Sequence, residues 1–266
     1  MKLAKMLTGG MIVVVRNYSQ ACMAEDVGAR AVIPMDPTAG EQPSGGGSIM
    51  DLHTIKNIMD RVLIPVIARV RIGHEMDAQL MEAAHVDYID ECTLLHQTGL
   101  DHVSKHMYHA PFIGEASNLS EALIRIGEGS SLIRTKIEGG NENATNIATT
   151  INTVKTIIAE IKGLTERTQV QLSQYTNEGK VSIDLVRMVA RDGRLPVPFF
   201  AGGGVIMPID VALLMRLGCD GVIVSTNVFG VMAPESRLKA ILRAIDEHKS
   251  PDKMTDLIEL TGGYGK

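Results

Sequence analysis

Apolar positions along this chain recur with two different periods, and the switch from one to the other repeats. In the stretches 20–35 (QACMAEDVGARAVIPM), 78–92 (AQLMEAAHVDYIDEC), 120–136 (SEALIRIGEGSSLIRTK) and 212–226 (ALLMRLGCDGVIVST), the first half spaces its apolar residues three and four apart. That spacing puts them on one buried stripe of a helix. A Gly or a His follows, where a helix ends in a left-handed cap, and the second half is a short β-rich run that reads as a buried strand. Helix-then-strand units joined by such short turns imply parallel strands with right-handed crossovers.

The runs GMIVVV (10–15), IPVIARV (64–70), PFIGEAS (111–117) and LPVPFFAGGG (195–204) bring the strand candidates to eight. Eight parallel strands in 266 residues fit an α/β chain folded as a single (β/α)₈ TIM barrel, a fold of roughly 250 residues. The rival is an open doubly wound sheet, which usually carries G-x-G-x-x-G after its first strand; here the first strand follows GG and runs into VVVRN. Two segments depart from the rhythm. Residues 36–50 (DPTAGEQPSGGGSIM) form a Gly- and Pro-rich loop on the side where barrels place their active sites. Residues 139–185 begin GGNENATN, pass through a long helix pattern and a polar QLSQYTNEGK stretch, and read as an excursion between strands six and seven. No linker marks a domain boundary, so residues 1–266 are one domain.

Composition narrows the partners. The net charge of −5 is ordinary, and no basic run with interleaved aromatics suggests a nucleic-acid track. Aromatic residues are 3% with no Trp, against 15 Met, so aliphatics, Ala and Met must fill the core. Three distant cysteines, Cys22, Cys92 and Cys219, without a C-x-x-C pair, indicate neither a disulfide framework nor a thiolate metal site. The N-terminus MKLAKMLTGG lacks signal-peptide features, and no apolar run approaches the ~18 residues that span a bilayer. The expectation is a cytoplasmic protein with no membrane and no nucleic-acid partner.

Barrel catalysis belongs at the C-terminal ends of strands. The groups there are Arg69 and Arg71 on the third, Asp90 and Glu91 on the fourth, Arg134 and Lys136 on the sixth, glycines 202–204 after the seventh, and Ser225 and Thr226 on the eighth. Strand alternation puts Arg134 with Lys136 on one face and Arg69 with Arg71 on another such face. A lysine facing the lumen is desolvated toward its neutral, nucleophilic amine; a lysine that reaches solvent or a rim carboxylate is not, and for Lys136 both readings stand. AGGGV (201–205) ahead of a helix near Pro208 can cup a phosphate with backbone N–H groups or serve as a tight turn, and its place after strand seven favours phosphate. His102 and His106, spaced i, i+4, would share a helix face, a pairing that can bind metal. Without an adjacent Glu or a third ligand, a solvated face is the better reading and no metal is expected.

GGMIVVV, VIARVRIGH, VDYIDE, LIRTK, RLPVPFFAGGG and LGCDGVIVSTNVF, in that order, resemble the PdxS/SNZ family, the synthase subunit of pyridoxal 5'-phosphate synthase. The likeness covers roughly residues 8–260 and is loose across 36–50 and 139–185. It implies barrels in rings of six stacked as a dodecamer. It also implies a separate glutaminase subunit that supplies ammonia, and a lyase reaction joining that ammonia with ribose 5-phosphate and glyceraldehyde 3-phosphate. Pyridoxal 5'-phosphate is the product and no cofactor is required. Two family lysines form Schiff bases, the first in A-K-A-R-I-G-H and the second in R-T-K-G-E, and an aspartate in G-G-V-I-M-D assists the first imine. By this resemblance Lys136 is the retained second lysine. Arg69 replaces the first lysine and Val14 replaces the aspartate. Asp90, Arg134 and His74 fit the pattern, and Gly140, Gly203 and Gly204 match phosphate-contacting glycines. The family's G-S-G after strand eight is here Ser225-Thr226-Asn227, and the family's C-terminal tail is missing.

An imine needs a neutral amine, whereas a guanidinium with pKa above ~12 stays protonated and delocalised. Arg69 keeps the charge of a lysine and loses its chemistry; it can clamp a phosphate or pair with Asp90, the ion pair being the better reading. The expectation is a catalytically impaired family member, a pseudoenzyme that acts as a non-catalytic or regulatory subunit beside active paralogous subunits, in a homo- or hetero-oligomer. An active synthase working through Lys136 and another sugar-phosphate Schiff-base aldolase are the alternatives.

Overall fold

The protein was analysed as a computed structural model that describes residues 2–36, 51–93, 95, 101–137, 146–179, 181–250, 252, 253, 255 and 257. Eight strands form one sheet: β1 (Gly10–Val15), β2 (Ala31–Pro34), β3 (Ile67–Arg71), β4 (Tyr88–Cys92), β5 (Phe112–Ala116), β6 (Ser130–Thr135), β7 (Phe199–Gly202) and β8 (Gly221–Val224). Their order is β2-β1-β8-β7-β6-β5-β4-β3, all pairings are parallel, and a bridge between Val32 and Val66 brings β2 back against the entry to β3. The sheet closes, and the (β/α)₈ barrel expected from the sequence is the fold.

Alternation along the strands sorts side chains into two cores. One row points into the lumen, where Ile12, Val14, Ile33, Ile67, Tyr88 and Phe200 pack together. The other row, with Val13, Val32, Val70, Ile89 and Ile133, faces the helices. Full burial of one such aliphatic side chain stabilises by about 1.5–3 kcal/mol, so two stacked layers of them dominate the fold's stability. The short helix α1 (Lys2–Leu7) adds Ala4 and Leu7 to the lumen cluster and stops its N-terminal end.

The outer helices are α2 (Tyr18–Asp26), α3 (Leu52–Met59), α4 (Glu75–Ala83), α5 (Leu119–Gly127), α6 (Ile147–Thr165), α7 (Gln169–Gly179), α8 (Ile183–Asp192), α9 (Pro208–Leu217) and α10 (Pro234–Glu247). Side chains that accept from the first-turn N–H groups set several starts: Asn17, Asp51, His74, Asn118 and Asn146. After α9, Gly218 takes φ +114° in the left-handed cap read from LGCDG, and the AAHVD unit uses His85 at φ +61° for the same turn.

Two sequence expectations change, and the polar stretch after the long helix pattern proves helical. The polar QLSQYTNEGK stretch is helical to residue 179, so the excursion between β6 and β7 contributes α6, α7 and α8 to the barrel's outer layer. His102 and His106 share no helix face: only Lys105–Met107 is helical there, as one 3₁₀ turn, because two ion-paired side chains pin the segment to β4 and to the C-terminal end of α5. Ser225 and Thr226 lie just past β8, not on it. The loop 36–50, apart from Asp36, lies outside the described residues.

Candidate functional site

The C-terminal ends of the strands carry a buried ionic cluster built from β3, β4, β5 and β6. Arg69 and Asp90 are direct neighbours in the β3–β4 register, and Glu115 and Arg134 are neighbours in the β5–β6 register. Arg69 Nε lies 3.3 Å from Asp90 Oδ2. Arg134 Nε donates to Asp90 Oδ1 at 3.0 Å and Oδ2 at 3.2 Å, while its Nη2 lies 3.2 Å from Glu115 Oε2. Arg134 Nη1 donates to the Thr135 carbonyl at 3.1 Å, and Glu115 Oε1 accepts from the Thr93 N–H at 3.1 Å. All four charged residues are buried. Two cations and two carboxylates thus cancel within the lumen, which is what keeps four charges tolerable out of water. Burial alone would depress the Arg134 guanidinium, yet the adjacent Asp90 and Glu115 carboxylates raise its pKa further above the ordinary value. Glu115 carries no motif of its own in the sequence, and only the β5–β6 register reveals it.

Arg69 therefore occupies the lumen row, and it does pair with Asp90. Its Nη1 also lies 3.5 Å from Met35 Sδ. Arg71, one strand period later, leaves that row at the rim: its Nε and Nη2 donate to Asp77 at 2.7 and 2.9 Å, on the first turn of α4. His74 caps α4 through Nδ1, which accepts from the Asp77 N–H at 3.2 Å, and its Nε2 is 2.9 Å from Arg71 Nη2. Val14 is buried in the lumen's apolar cluster. Lys136 follows the last residue of β6, partly buried, with its N–H donating to the Ala116 carbonyl at 2.9 Å. Cys92 ends β4 in full burial; desolvation, with the Asp90 charge beside it, pushes its thiol up to about 12, so it is no nucleophile.

Glu91 points outward, opposite to Asp90, and organises the loops above the strands. Its Oε1 accepts from the N–H groups of Gly73 (2.9 Å) and Val103 (3.0 Å), and its Oε2 lies 2.8 Å from both His102 Nδ1 and Lys105 Nζ. Burial would raise this carboxyl, but the His102 hydrogen bond, the Lys105 charge and the Gly73 N–H outweigh it and bring it to about 2. Lys105 is buried and continues to Glu128 Oε2 at 3.0 Å. His102 and Lys105 thus tie the 101–107 segment down. Among the described residues no cluster of His, Cys, Asp and Glu is arranged to hold a metal ion.

The glycine loop after β7 has the geometry of an anion cradle. Gly203 and Gly204 adopt φ +104° and +68°, a region open to glycine at little cost. Their N–H groups donate to nothing among the described residues. Val205 O accepts from the Ser225 N–H at 3.1 Å, which sets the turn after β8 beside this loop, and Ser225 Oγ accepts from the Asn227 N–H at 3.4 Å. Ser225 and Thr226 are both buried. Gly140 lies outside the described residues. Arg16, just past the end of β1, carries a buried Nε without a hydrogen-bond partner among the described residues and was not singled out from sequence, since a single basic residue after a strand has no signature. Among the described residues no helix is long and apolar enough to cross a membrane.

Comparison with known proteins places this arrangement. The sequence profile of the SOR/SNZ family matches residues 1–202. The pyridoxal 5'-phosphate synthase subunit pyroA of Emericella nidulans is 41% identical over 270 residues, covering 99% of this chain and 88% of that protein. The pyridoxal 5'-phosphate synthase subunit PdxS of Clostridium botulinum (strain Loch Maree) is 41% identical over 264 residues, covering 98% and 90%. Subunit PDX1.3 of Arabidopsis thaliana is 39% identical, covering 99% and 84%. Among solved structures, a thiamine phosphate pyrophosphorylase from Pyrococcus furiosus aligns with a TM-score of 0.54 at 12% identity, covering 92% of this chain and 98% of that one, a likeness of fold alone. With the family profile spanning most of the chain and relatives near 40% identity over nearly its whole length, the protein belongs to the SOR/SNZ family of pyridoxal 5'-phosphate synthase subunits.

Proposed function

We propose that this chain is a non-catalytic member of a pyridoxal 5'-phosphate synthase, one that binds sugar phosphate and assembles with active paralogous subunits instead of forming the coenzyme itself. The observation that supports the reading is Arg69. It stands at the lumen position that the family resemblance assigns to the first imine-forming lysine, and its guanidinium is engaged with Asp90. Carbon–nitrogen bond formation there requires a free electron pair, which a guanidinium does not offer. Val14, at the position of the assisting aspartate, is enclosed among aliphatic side chains and can neither take nor give a proton.

Loss of one acid–base partner costs about 10²–10⁴ in rate, and here the nucleophile is replaced as well. The barrel, the Lys136 position and the glycine cradle are kept. An intact scaffold around altered chemistry suits a subunit that stabilises or regulates a mixed ring. In this reading ribose 5-phosphate is the ligand, pyridoxal 5'-phosphate the product of the neighbouring subunits, and a glutaminase subunit their source of ammonia; no resident cofactor is needed.

A second reading keeps activity through Lys136, which is partly buried just after β6 and two residues past Arg134 of the lumen cluster. Borohydride trapping with ribose 5-phosphate, followed by mass spectrometry of the purified chain, separates the two. The non-catalytic reading expects no adduct and no coenzyme from the chain with both sugar phosphates and ammonium, but altered yield when it is mixed with an active homologue. An adduct on Lys136 with coenzyme formed by the chain alone overturns it in favour of the second reading.

A further inference from the structure

The peptide groups of the glycine loop are held from behind by two threonines. Thr135, the last residue of β6, donates from Oγ1 to the Gly202 carbonyl at 2.7 Å and accepts from the Gly202 N–H at 2.8 Å. Thr150, in the first turn of α6, donates from Oγ1 to the Gly203 carbonyl at 2.8 Å, with the Gly202 carbonyl also within reach at 3.1 Å. Both threonines are buried, so water does not compete for these carbonyls.

The consequence follows from peptide geometry. In a trans peptide the C=O and the following N–H point in opposite directions. Drawing the Gly202 carbonyl toward the threonines turns the Gly203 N–H away from α6. Drawing the Gly203 carbonyl toward Thr150 turns the Gly204 N–H the same way. These are the two N–H groups that donate to nothing among the described residues. The positive φ angles of Gly203 and Gly204 complete the arrangement, because consecutive donors can then converge on one oxygen.

We infer that Thr150 is a positioning residue for phosphate recognition: its hydroxyl aims the Gly203 and Gly204 N–H groups at the anion without touching it. This rests on the reading of the chain as a sugar-phosphate binder and makes α6 a working part of the site. The excursion after β6 thereby does more than cover the barrel, since its first turn sets the donor geometry of the loop after β7.

The test measures equilibrium binding of inorganic phosphate and of ribose 5-phosphate by calorimetry to the full chain, to Thr150→Val and to Thr150→Ser, with thermal unfolding of each. Valine keeps the shape and removes the donor; serine restores the donor. The expected result is binding weakened about five- to tenfold in Thr150→Val, the loss of one buried hydrogen bond, with near-parent affinity in Thr150→Ser. A purely structural role shifts the melting temperature of Thr150→Val and leaves the affinity of the folded protein unchanged, which overturns the inference, as does an equal loss in both variants. If the unsubstituted chain binds neither ligand, the sugar-phosphate reading itself fails and the inference with it.

Discussion

Arg69 and Asp90 face each other across the β3–β4 register, buried, with Nε 3.3 Å from Oδ2, and Asp90 is at the same time bonded to Arg134 from the far side. One carboxylate thus serves two guanidinium groups. The two cations are unequal, because Arg134 also faces Glu115 and Arg69 does not.

Removing Arg134 takes from Glu115 its cation and leaves Asp90 with Arg69 alone, whereas removing Arg69 leaves both carboxylates facing Arg134. Breaking a buried pair from one side costs about 3–5 kcal/mol, so Arg134→Met is expected in that range, and Arg69→Met, which removes one hydrogen bond from a carboxylate that keeps another, at a smaller value of about 1–3 kcal/mol. Urea denaturation of both variants measures the difference; equal losses would contradict the sharing of Asp90.

Replacing Arg69 by Lys preserves the cation beside Asp90 and supplies an amine. The double variant Arg69→Lys, Val14→Asp is expected to give a borohydride-stable adduct with ribose 5-phosphate at residue 69 that the parent chain lacks. Peptide mapping by mass spectrometry locates it. An unmodified residue 69 in a folded double variant counts against the proposed origin of the impairment.

Glu91 links stability to acid. Its folded-state pKa of about 2 lies below the ordinary value of 4.5, so the unfolded chain binds the proton more readily. The stabilisation is present above the ordinary value and is lost as pH falls toward about 2; at 1.36 kcal/mol per unit it amounts to about 3 kcal/mol. Glu91→Gln is expected to lose a similar amount at neutral pH and to show a flatter stability curve between pH 5 and 2. Denaturation midpoints across that window report the slope.

Gly203 at φ +104° leaves no comfortable place for a side chain. Gly203→Ala is expected to cost about 1–2 kcal/mol through backbone strain and to weaken phosphate binding more than it lowers stability, because the strained peptide must rotate. Calorimetry and thermal melts on the same variant give the two quantities.

The three cysteines differ in reach: Cys22 is partly exposed, while Cys92 and Cys219 are buried with their thiols pushed up by desolvation. Ellman's reagent is expected to titrate one thiol in the native protein and all three in denaturant. Rapid native labelling of Cys92 would mean that the lumen opens.

Much of the fold was legible in the chain. Seven of the eight strands lie within a run marked by β-rich composition, β3 extends one residue past its run to Arg71, and the caps at Gly218 and His85 fall where the units change period. Legibility ended at the loops. The QLSQYTNEGK stretch joined α7 although it carries little apolar patterning of its own, and the His102/His106 spacing dissolved because Glu91 and Glu128 bind the intervening chain more firmly than a helix would.

The sequence by itself determined which side chains enter the lumen, since alternation is a local property and Val14, Arg69, Asp90 and Arg134 needed only their strand positions to be placed there. The tertiary structure decided how those groups are paired. Asp90 shared by two arginines, Glu115 as the second carboxylate, and Thr150 behind the glycine loop all depend on strand register and on a helix that returns from far along the chain. No short-range pattern encodes such meetings, because the energy that selects them exists only once the barrel has closed and water has left it.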